Sequence, residues 1–183
     1  MFKKLLLVVV VFCCTATVAF AGNFKLTSPT ITGATLTEEQ VFDGFGCTGK
    51  NQSPALQWTT GPKGTKSYAI TVYDPDAPTG SGWWHWVVYN IPANVTELAY
   101  GAGDATGKLL PPGTLQGRTD FGVHAFGGAC PPKGNKPHRY IFTVYALNIE
   151  KIDVPADASA ALIGFMIHAN TLEKASFTAK YGR

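Results

Sequence analysis

Residues 74–85 read DPDAPTGSGWWH: two acids one residue apart, two prolines, a Thr-Gly-Ser-Gly turn, and a histidine that follows two tryptophans. Neighbouring carboxylates repel each other. Proline neither donates to a sheet ladder nor sits inside a helix, so Pro75 and Pro78 stop whatever regular element precedes them. The residues before this stretch, 68–74 (YAITVYD), are aromatic and β-branched, and so are those after it, 85–91 (HWVVYNI). The pattern is strand, stiff polar turn, strand, and it points to a β-rich fold with a rigid site at a strand end.

Further strands are expected at residues 139–147 (RYIFTVYAL) and, more weakly, at 56–59. A long Gly- and Pro-rich connection spans residues 100–136, and such loops inside compact domains are usually functional. One helix is expected late in the chain. Asp157 or Ser159 can cap a segment in which Leu162, Ile163, Phe165, Met166 and Ala169 recur at helical spacing, with Lys174 near its end. No repeat and no linker-like change of composition interrupts the chain.

The first residues read as an export leader. Lys3 and Lys4 precede an apolar run, and Ala19-Phe20-Ala21 has the small-x-small pattern of a cleavage site. The run is too short for a membrane span. Cleavage after Ala21 leaves residues 22–183 as one domain, expected to be periplasmic or secreted. The net charge of +3 includes Lys3 and Lys4; without them, 13 basic residues face 12 acidic ones. That balance and the lack of a basic tract argue against nucleic-acid binding. Of four cysteines, Cys47 and Cys130 survive cleavage. In an oxidising compartment they invite one disulfide, the alternative being two buried free thiols.

Two segments carry the candidate chemistry. In the first, Asp74 and Asp76 lie in a stiff turn and His85 opens the next strand, where an Asp could orient its imidazole and favour the charged form. The second, residues 130–140 (CPPKGNKPHRY), brings His138 to the start of a strand behind a Gly-rich loop whose amides could face an oxyanion. Arg139 reads better as an ion-pair partner than as a ligand contact. Asp120-Phe121-Gly122 reads as a turn that can line a pocket mouth with His124. The sequons at Asn51 and Asn94 are incidental in an exported bacterial protein. Paired acids and histidines also permit a periplasmic hydrolase, but no nucleophile stands beside a base and no compact metal motif occurs. Neither a cofactor nor a metal is called for.

Together, DPDAP, the Trp-His pair, PPKG and HRY resemble the phosphatidylethanolamine-binding protein family, also called the Raf kinase inhibitor-like family. Ser53-Pro54 with Leu56 and Trp58, and Lys174-Ala175-Ser176-Phe177, extend the likeness over nearly the whole mature chain. The signal peptide, short C-terminus and WWHWVVYNIP segment look like its bacterial exported branch. The resemblance implies a mainly β fold, with a large antiparallel sheet packed on a smaller one and one C-terminal helix. It implies a small pocket for phosphate or a phospholipid head group, in a ligand-binding or inhibitor-type protein that can modulate a partner protein. By position, Asp74, Asp76, Pro78 and His85 form one wall, and His138 with Tyr140 the other. Cys130 stands where the family commonly has glycine, with its amide toward the anion. The acids are expected to steer the imidazoles and keep them protonated.

Overall fold

The computed structural model describes residues 24–183; the expected leader, residues 1–21, lies outside the described residues. The chain forms β1 (Leu26–Thr27), β2 (Asp43–Gly44), β3 (Cys47–Thr48), β4 (Leu56–Trp58), β5 (Ser67–Asp74) and β6 (Trp83–Pro92). It continues through β7 (Glu97–Leu98), β8 (Leu115–Gln116), β9 (His138–Leu147), α1 (Ala160–Ala169) and β10 (Thr171–Tyr181). A five-stranded sheet in the order β10-β9-β5-β6-β8 packs on a three-stranded sheet β1-β4-β7, and β2 with β3 makes a separate hairpin. Every ladder is antiparallel.

Alternation along the central strands explains the layers. Ile70 and Val72 of β5, Trp86 and Val88 of β6, and Phe142 and Val144 of β9 face the small sheet and form the main core with Leu56, Trp58 and Leu98. Ala69, Val87, Tyr89 and Tyr145 face the opposite way, against Ile163 and Ile167 of α1. A strand buried on both faces has no polar alternation, which is why the central segments read as near-continuous apolar runs.

The main strands agree with the sequence reading to within two residues at each end. Ser159 caps α1, its hydroxyl accepting from the Leu162 amide at 3.2 Å. The expectation that Lys174 lies near the end of the helix is not met. The helix closes at Asn170, and Lys174 lies in β10, an eleven-residue strand paired with β9 along its length. Its inward residues Ala175, Phe177 and Ala179 are mostly small, and exposed Ser176 and Thr178 separate them, so the apolar signal is weak on paper.

Candidate functional site

The site lies where the main core reaches one end of the large sheet. Asp74, the last residue of β5, continues the inward face of Ile70 and Val72. His138 and Tyr140 of β9 continue the inward face of Phe142. His85 arrives by a different route. Val72 is opposite Trp86 and Tyr73 is opposite Trp84, so His85 is an extra residue in β6, a β-bulge. A bulge re-aims a side chain, and this one turns His85 to the side of Asp74 and Tyr140. At the turn before β6, Gly82 has φ +68, and a Cβ there would lie 2.2 Å from the Tyr73 hydroxyl. Only glycine fits that backbone.

Three polar links fix the site. His138 Nδ1 donates to Asp74 Oδ2 at 2.8 Å, with the two side chains 5% and 4% exposed. Asn135 Nδ2 donates to the other ring nitrogen at 3.3 Å, so both nitrogens of His138 are engaged. His85 Nδ1 donates to the Gly127 carbonyl at 2.7 Å. A carbonyl can only accept, so Nδ1 carries the hydrogen and Nε2, without a partner among the described residues, is an acceptor while the ring is neutral. Burial holds the His85 pKa below the usual histidine range, although Gly127 and the charge of Asp74 pull it upward.

This corrects the expected division of labour. Asp74 steers His138 only, and a backbone carbonyl steers His85. Asp76 is turned away: Arg139 Nη2 and Nε reach its two oxygens at 2.7 and 2.9 Å, and the Arg139 amide donates to it at 2.8 Å. The guanidinium lowers the Asp76 pKa to about 2. Arg139 is the ion-pair partner expected. Nor are the loop amides as free as expected. Gly127, Gly128 and Ala129 donate to the His85 carbonyl, Asn51 Oδ1 and the Gln40 carbonyl respectively. The Cys130 amide alone in this stretch has no protein acceptor among the described residues.

A cavity of about 180 Å³ opens among these groups, lined by Asp74, Pro78, His85, Cys130, His138 and Tyr140 with apolar neighbours including Trp83, Phe121 and Phe45. Of the sequence-expected residues, Asp76 is missing from this wall and lines a neighbouring surface cleft with Lys136 and Lys180. Tyr140 is 1% exposed and its hydroxyl has no hydrogen-bond partner among the described residues. Burial, with Asp74 nearby, raises its pKa far above the ordinary value, so the hydroxyl keeps its proton and can donate. Phe121 lines the cavity as the turn reading allowed, whereas His124 bonds the Gln116 carbonyl and does not line it. Among the described residues no three acids, cysteines or histidines converge as metal ligands.

The disulfide joins Cys47 and Cys130, with Cα atoms 6.0 Å apart, and ties the β2–β3 hairpin to the cavity wall. Asn51, which sequence reading set aside, has φ 52, and its amide group binds Gly128 N and the Phe126 carbonyl. It fixes the loop that holds His85. A Cβ on Gly128 would lie 2.4 Å from the Gln40 carbonyl, so this loop runs backbone against backbone. No local pattern marks such a role, because the partner lies 77 residues away.

Residues 28–182 match the family model described as phosphatidylethanolamine-binding protein. The chain is 58% identical over 164 residues to YbcL of Escherichia coli K12, covering 89% of this chain and 90% of that protein. It is 54% identical over 149 residues to YbhB of the same organism, covering 81% and 93%. The crystal structure of E. coli YbcL, described as a new member of the mammalian PEBP family, superposes with a TM-score of 0.86 at 57% identity, over 88% of this chain and 99% of that one. A Chlamydia trachomatis homologue, CT736, superposes with a TM-score of 0.72 at 26% identity, over 88% and 99%. Sequence, fold and the DPDAP and HRY segments at one cavity agree: the chain belongs to the phosphatidylethanolamine-binding protein family.

Proposed function

We propose that this chain is an exported ligand-binding protein whose cavity takes phosphate or a phosphorylated head group, and that occupancy modulates a protein partner. The observation that carries the reading is the orphaned Tyr140 hydroxyl. A buried hydroxyl without an acceptor costs about 1–3 kcal/mol, which a ligand oxygen recovers once a small shift of the cavity wall uncovers it, since the hydroxyl is closed to solvent. The Cys130 amide is a second unpartnered donor beside the same cavity. His85 supplies the third once its ring takes up a proton at Nε2, and an anion in the cavity favours that uptake. Asp74 and His138 serve as the rigid wall behind these groups. Residues 1–21 support export.

The test is calorimetric titration of the mature chain with inorganic phosphate, phosphoethanolamine and sulfate at about pH 5 and about pH 9, either side of the histidine range. Sulfate has no titrating proton there, which separates the protein's proton from the ligand's. The expected result is binding that weakens roughly tenfold or more at the higher pH for all three anions. Absence of binding at millimolar concentration, or an affinity for sulfate that ignores pH, contradicts the reading.

A further inference from the structure

Phe45 stands at the tip of the β2–β3 hairpin, 71% exposed and with φ 51. A bulky residue in the left-handed region is uncommon, and such positions persist where the surroundings over-determine them. Here they do. The Cys47–Cys130 disulfide ties the hairpin to the cavity wall. Arg183 adds a second clamp, donating from Nη1 to the Gly46 carbonyl at 2.6 Å and from Nε to the Pro131 carbonyl at 2.7 Å. The result is an aromatic ring held out at the cavity mouth. Phe45 stacks on Phe121, with centroids 5.9 Å apart and planes 15° apart, and Trp83 meets Phe121 edge-on at 5.4 Å.

A ligand that reaches Tyr140 with an oxygen must leave its other end beside these rings. Two of the carboxylates nearest the mouth are already paired with side chains. Asp74 is bound to His138 and Asp76 to Arg139, while exposed Asp120 accepts from the Trp84 amide at 2.7 Å and keeps its charge. An ammonium group finds two of the nearby acids already taken, whereas a flat apolar group finds the faces and edges of three aromatic rings.

We propose that Phe45, Phe121 and Trp83 form a second compartment of the pocket that takes the uncharged ring of an aryl phosphate monoester, in preference to inorganic or aminoalkyl phosphate. The proposal rests on the anion pocket described above. Disulfide and Arg183 are positioning elements, since they keep Phe45 at the mouth without themselves meeting the ring.

The test is titration of the mature chain with phenyl phosphate, phosphoethanolamine and inorganic phosphate, read as ratios of affinity, in the wild type and in Phe45→Ala and Phe45→Tyr. The wild type is expected to favour phenyl phosphate about fivefold to tenfold over each of the others. The ratio falls toward one in Phe45→Ala and persists in Phe45→Tyr. Equal affinities in the wild type, or a ratio that survives Phe45→Ala, overturn the proposal. If phosphate binds without any aryl preference, only the second compartment is lost. If none of the three binds, the anion pocket falls with it.

Discussion

Tyr140 carries a hydroxyl into a place where the described residues offer it nothing to bond, two residues after His138 on the same face of β9. Removing that oxygen separates a structural from a ligand-binding role. Tyr140→Phe is expected to leave stability unchanged or raise it by about 1 kcal/mol, because it deletes an unsatisfied buried group, while phosphate affinity falls roughly fivefold. Chemical denaturation and titration of the same variant check both halves. His85 makes the complementary prediction. Its folded pKa lies below the ordinary value because burial disfavours the charged ring. Stability is therefore fully present above the ordinary histidine pKa and falls as the pH drops below it, when the unfolded chain binds the proton that the folded one resists. His85→Leu should flatten that part of the pH–stability curve; an unaltered slope assigns it to other groups.

At the scale of elements, the hairpin β2–β3 consists of two two-residue strands, and covalent attachment compensates for its small ladder. Cross-linking positions 83 residues apart removes loop entropy from the unfolded chain, worth about 4.5 kcal/mol in the chain-entropy model. The double variant Cys47→Ser, Cys130→Ser should lose roughly that stability in a denaturant melt, and reductant should then shift only the wild-type curve. What was legible in the sequence follows from range. β5, β6 and β9 announce themselves through local composition, and Pro75 and Pro78 mark where β5 must stop. β10 does not, because small residues fill its inward face and the long β9 beside it supplies the pairing. The bulge at His85 is equally silent. A bulge is a mismatch between two strands, and neither strand alone contains it.

Across the whole molecule, the two segments that carried the sequence argument do meet, since the antiparallel pairing of β5 with β9 brings the end of one to the beginning of the other. Residue identity located the cavity, but not which acid holds which histidine. Asp74 and Asp76 are near-equivalent on paper, yet the alternation of β5 sends Asp74 inward, and the turn that follows leaves Asp76 to Arg139 at the surface. The central claim is that the cavity beside Tyr140 is an anion site. The most direct measurement is a crystal structure of the mature chain soaked in phosphate. A tetrahedral anion is expected within hydrogen-bond reach of Tyr140 Oη, the Cys130 amide and His85 Nε2, with the Asp74–His138 pair unmoved. A cavity holding only water at high phosphate concentration, or phosphate seated instead at the Lys136 and Lys180 cleft, contradicts it.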